Sequence, residues 1–146
     1  MIEEFESAKE ELKRADHLIY ITLKISRNVD VIRNAILRMI SASEFLIKDV
    51  LVHKNKELPK TIKESIILIR SLFKKDEKLH DFLNFYETLK RIERAEYTSK
   101  DEYRKNIALV TKFITLDVPT LEQFFNKSID FMNYVNELTG KVHKEK

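Results

Sequence analysis

Arg91–Asn106 reads RIERAEYTSKDEYRKN, and the reading of this stretch decides the fold. Ser99 and Glu102 have the spacing of a capping box, in which a serine hydroxyl and a glutamate carboxylate satisfy orphan backbone N–H groups at a helix start. Tyr103, Ile107, Val110 and Ile114 then recur at steps of three and four. That period predicts a helix over about 99–114, with Tyr97 and Thr98 forming the corner before it. On this reading no segment is left over for a strand.

Upstream, Leu79, Phe82, Leu83, Tyr86, Leu89 and Ile92 form a helical stripe opened by Asp76. Ile62, Ile66 and Ile69 predict a helix over 59–72 with Pro59 in its first turn. An apolar face wider than that of the opening helix runs through Ile32, Ile36, Met39, Leu46 and Val50 and marks a central helix over 29–53. Phe5, Ala8, Leu12, Ala15 and Ile19 predict an opening helix over 2–25, and Ser26, Asn28 and Asp30 are the caps available between these two. Downstream, Asp117 caps a last helix with Pro119 in its first turn, and Gly140 suits its C-terminal cap. Phe131 stands off the stripe of that helix, which reserves a second face for a neighbouring subunit. The expected fold is all-α: an up-and-down bundle of five to six helices, one domain over 1–140 and a flexible tail over 141–146.

Composition narrows the function. One glycine and two prolines in 146 residues argue against tight hairpins and glycine-built phosphate loops. The absence of cysteine excludes thiolate metal sites, disulfides and cysteine nucleophiles. Lys and Arg number 27 against 24 Asp and Glu, so most cations have acidic company and global charge gives little support to nucleic-acid binding. No run approaches the roughly 18 apolar residues of a membrane span, and the N-terminus MIEEFESAKEELK is unlike a signal peptide. The expectation is a cytoplasmic protein without a membrane partner.

No catalytic motif emerges. His17, His53, His80 and His143 are scattered; Glu77 and His80 have the spacing of a di-metal helix once, where two copies are needed, and an acid in a first helical turn has an ordinary electrostatic reason. No serine sits in a nucleophile elbow. We expect no enzyme activity, no metal and no cofactor. The candidate binding residues are Arg91, Arg94, Lys100 and Arg104 interleaved with Tyr97 and Tyr103, the mixture that phosphate attraction and base stacking use. A purely structural reading competes: Glu87 with Arg91 and Asp101 with Lys105 are i,i+4 pairs, and the Arg94 stem would lie along the Tyr97 ring.

Three passages resemble the HEPN superfamily of small helical bundles. SAKEELKRADHLIY carries the A-x-x-x-L-x-x-A rhythm through Ala8, Leu12 and Ala15; ASEFLIKDVL (42–51) is similar to the end of the family's second helix; RIERAEY (91–97) looks like its R-x-x-A-[DE]-Y corner. Catalytic members place an arginine before a histidine with four to six residues between them. None of the four histidines here has one, so the resemblance implies a non-catalytic member that binds a partner protein or RNA. It also implies a nucleotidyltransferase-like protein partner, while the second face of the last helix is what predicts a homodimer. The alternative is a helical oligomerisation module unrelated to HEPN.

Overall fold

Helix α3 (Val29–His53) is the element around which the others are arranged. The Asn28 side chain opens it by accepting from the Asp30 N–H at 2.7 Å. Ile32, Ile36, Met39, Leu46, Ile47 and Leu51 are all fully buried, so α3 is apolar on more than one side and needs several neighbours. They are α1 (Ile2–His17), α4 (Ile62–Leu72), α5 (Glu77–Arg94) and α6 (Val118–Thr139). The computed structural model describes residues 2–140; the tail expected over 141–146 lies outside them.

The opening helix is longer than α1 alone. It runs through a π-helical turn (Leu18–Thr22) into α2 (Leu23–Ser26) and stops where Arg27 turns left-handed at φ 49°. The predicted stripe Phe5, Ala8, Leu12, Ala15 and Ile19 is buried throughout. α4 starts at Ile62, capped by the Thr61 hydroxyl, so Pro59 precedes the helix and does not sit in its first turn.

Cross-contacts fix the helix directions. Tyr86 meets Glu44, while Arg33 donates to the Glu93 carbonyl, so α5 runs antiparallel to α3. The Tyr134 hydroxyl donates to Asp76 Oδ2 at 2.6 Å and Lys127 pairs with Asp81 at 2.6 Å, so α6 runs antiparallel to α5. Asp76 has two tasks here, since its Oδ1 also caps α5 through the Leu79 N–H. Burial and this bond push the Tyr134 hydroxyl up to about 12.

The segment after α5 corrects the all-α expectation. Residues 98–117 form a three-stranded antiparallel sheet, β1 (Thr98–Lys100), β2 (Ala108–Val110) and β3 (Thr115–Asp117), in the order β1-β2-β3. The chain is mostly helical with this small sheet inserted before α6. Thr98, Ile107, Val110, Thr111, Ile114 and Thr115 are β-branched and pack better on a pleated surface than on a helix. Scarce glycine does not forbid the turns. Asp101 and Tyr103 take the left-handed conformation in the first, at φ 55° and 69°. In the second, the Thr111 hydroxyl donates to the Ile114 carbonyl and accepts from the Phe113 and Ile114 N–H groups.

The predicted capping box is also corrected. The Glu102 carboxylate does not start a local helix; it accepts from the Val29 N–H at 2.9 Å and so caps α3 from 73 residues away. The Tyr103 N–H donates to the Arg27 carbonyl at 2.8 Å and fastens the same loop to the α2–α3 junction. The Ser99 hydroxyl and then the Val29 N–H hold the Glu102 carboxyl below the usual carboxylate range. Asp117, which caps α6 through Thr120, is likewise held low. Both groups lose protons more readily folded than unfolded, so they stabilise the fold above their ordinary values of 4.5 and 3.8, and that contribution disappears as pH falls through the lower folded values. We expect the melting temperature to drop on the acid side of pH 4.5, and the drop to flatten in a Glu102→Gln/Asp117→Asn variant. An acid limb identical in parent and variant would contradict this.

Phe131 is not available to a neighbouring subunit. It is fully buried within the chain and stacked on Phe82, with ring centroids 5.0 Å apart and planes 12° from parallel.

Candidate binding groove

α4 and α5 both lie on α3 but leave a cavity of about 780 Å³ between them. Its floor is a hydrogen bond: the Tyr86 hydroxyl donates to Glu44 Oε2 at 2.7 Å. Burial chiefly, and the Glu44 carboxylate next, drive the Tyr86 hydroxyl far above its ordinary value, while Arg94 pulls the other way. Tyr86 therefore stays protonated and acts as a donor to Glu44.

The walls differ in character. On the α4 side Ile62, Ile66 and Ile67 face the cavity; Ile66 is buried, whereas Ile67 is 61% exposed. Four cations, Lys63, Arg70, Lys90 and Arg94, line it against two carboxylates, Glu44 and Glu87. Arg70 is committed to bracing α4 on α5: it donates to His80 Nδ1 at 3.0 Å and Asn84 Oδ1 at 2.9 Å, and lies 3.6 Å from Glu87. Because an arginine only donates, Nδ1 of His80 accepts, and its Nε2–H donates to the Phe73 carbonyl at 2.9 Å. Both ring nitrogens of His80 are thus engaged, away from any pairing with Glu77. Lys90 pairs with Glu93 at 2.8 Å. Arg94 is exposed and forms no ion pair among the described residues, which leaves its guanidinium free for a ligand.

The structure separates the residues proposed from the sequence. Arg94 enters the groove. Arg91 places its guanidinium 3.9 Å above the Phe113 ring, and Glu87 pairs with Arg70 in place of Arg91. Tyr97 lies under Arg33, 5.7 Å away, so α3 supplies the cation expected from Arg94. Lys100, Tyr103 and Arg104 sit at the β1–β2 turn, over the start of α3. Val29, where Glu102 anchors that turn, and Glu44, on the groove floor, are fifteen residues apart, or about 22 Å along the helix. The groove floor is therefore remote from that turn, and of the cations proposed from the sequence only Arg94 lines the groove.

Sequence reasoning missed Glu44, Ile67 and Arg70. A signal existed: Arg70 interrupts the apolar run IILIRSL, and Glu44 is an acid inside the largely apolar central helix. The chain matches no family model, no curated protein and no solved structure.

Proposed function

We propose that this chain is a non-enzymatic, HEPN-like helical-bundle module whose α4–α5 groove receives an acidic amphipathic helix of a partner protein. The observation that carries the reading is the pairing of an isoleucine wall, of which Ile67 is exposed, with Lys63 and Arg94 across a floor tied by Tyr86 and Glu44. Apolar side chains left on a helix flank suit a helix laid into the groove, and rim cations select acidic flanks and speed the encounter. The HEPN resemblance adds a nucleotidyltransferase-like protein as the class of partner, and the absence of cysteine favours the reducing cytoplasm as the setting. Ile21 and Ile25, 48% and 82% exposed and four residues apart, offer a face for a homodimer.

The test is a fluorescence-anisotropy titration with a labelled sixteen-residue model helix bearing leucines at i, i+4 and i+7 and glutamates beside them. Arg94→Ala and Ile67→Asp should each weaken binding about tenfold, as should added salt for the parent, whereas Tyr103→Ala should leave it unchanged. Undiminished binding in both groove variants would sink the reading.

A second reading, single-stranded RNA held at the β1–β2 turn, is favoured by one observation. Tyr103 is 70% exposed between Lys100 and Arg104, a ring with cations beside it. In that case Tyr103→Ala weakens binding of an oligoribonucleotide and the groove variants do not.

A further inference from the structure

Lys13, Arg14 and His17 of α1 and Arg38 of α3 surround a shallow cavity of about 340 Å³ beside Leu18. A single carboxylate organises it. Glu11 is 9% exposed, and it accepts from Arg14 Nη1 on one oxygen and from Arg38 Nη1 on the other, each at 3.1 Å. Dividing its oxygens between arginines of two helices fixes both guanidiniums while engaging one of the five N–H donors of each. Arg14 and Arg38 remain 56% and 44% exposed, so the other donors are open to a ligand.

The π-helical turn completes the arrangement. It brings Thr22 Oγ1 within 3.3 Å of His17 Nδ1, five residues earlier in the chain. In the tautomer in which Nδ1 accepts from the threonine hydroxyl, the His17 Nε2–H is a further donor. Three permanent cations, Lys13, Arg14 and Arg38, thus line the cavity, and Glu11, which lies outside its lining, is shared by two of them. Glu10 approaches only Lys13, at 3.8 Å, with both side chains more than half exposed.

We propose that this pocket binds the terminal phosphoryl group of a phosphate monoester. Guanidinium forks fixed from two directions match the several oxygens of a tetrahedral dianion better than the two of a carboxylate. The volume lies at the low end of the roughly 300–1,000 Å³ of ligand pockets, enough for the phosphoryl end of a larger molecule. The site is separate from the α4–α5 groove. Arg38 and Glu44 are six residues apart on α3, hence about 120° around it, and failure of either assignment leaves the other standing.

The test uses the full chain, titrated with AMP and followed by NMR shifts of the arginine Nε–Hε groups and backbone amides. The expected result is saturable binding with the largest shifts at Arg14, His17 and Arg38. Arg38→Gln should weaken it about tenfold. Arg14→Gln, which leaves Arg38 on Glu11, should do the same without loss of fold, and Arg94→Ala should leave binding intact. A 5′-phosphorylated tetraribonucleotide that binds more tightly than AMP assigns the phosphoryl group to an RNA end; equal binding assigns it to a free nucleotide, and either sustains the site. Undiminished AMP binding in both glutamine variants would overturn it, and so would equal binding of the 5′-hydroxyl tetraribonucleotide.

Discussion

Phe131→Ala is expected to destabilise the chain by about 3–5 kcal/mol, the range for deleting a buried phenylalanine from a close-packed core. The ring is fully buried and stacked on Phe82, which also meets the Tyr134 ring at 5.7 Å. Truncation therefore opens a void between α5 and α6 and loosens the ring beside the Tyr134–Asp76 bond that ties those helices. A domain of this size is stable by roughly 5–15 kcal/mol, so the loss is a large fraction of the whole. Urea denaturation measures it directly. Phe131→Leu, which fills most of the void, should cost less than half as much. A near-neutral Phe131→Ala would mean that the α5–α6 interface is not packed as described.

Thr111→Val is the second large effect, at about 1–3 kcal/mol, because valine keeps the shape and removes the hydroxyl. Thr111 Oγ1 serves three backbone groups: it donates to the Ile114 carbonyl at 3.0 Å and accepts from the Phe113 and Ile114 N–H groups at 3.3 and 3.0 Å. The Thr111 N–H still reaches the Ile114 carbonyl at 2.9 Å, so the two N–H groups are the ones that lose their acceptor. Valine's strand preference offsets part of the cost, while Thr111→Ser keeps the bonds and should stay close to the parent. Faster amide exchange across Ala108–Val110 and Thr115–Asp117 would accompany the loss. Exchange and stability unchanged in Thr111→Val would mean that the turn is not held by this side chain.

These two sites mark where the sequence was legible and where it was not. The helices were readable because their signals are local: α3 spans the predicted 29–53, Asp76 and Asp117 act as caps, and Gly140 takes the left-handed position at the end of α6. Phe131 is hard to place from the sequence because it stands off the stripe of α6, yet α6 is flanked on that side by Phe82 of the same chain. In 98–117 the spacing of Ile107, Val110 and Ile114 suits a helix as well as a short sheet, and the β-branched content was the better guide. Scarce glycine is a poor guide to these turns, because Asp101 and Tyr103 carry the left-handed one and Thr111 closes the other. Glu102 looked like a local cap and caps a helix 73 residues away, a relation no short window contains. The groove was partly legible for the same reason. Arg94 was named, but Glu44 and Arg70 join it from helices distant in sequence.

The central claim, that the α4–α5 groove recognises acidic side chains on a partner helix, is tested most directly by a double-mutant cycle. Arg94→Ala in this chain is combined with Glu→Gln at each position of the model helix, and the coupling free energy is read from the four dissociation constants of each cycle. We expect one glutamate to couple to Arg94 by about 1 kcal/mol, within the range found for residues in contact, and to lose that coupling in high salt. Additive effects at every glutamate, with Arg94→Ala equally harmless to all the peptides, would contradict the account.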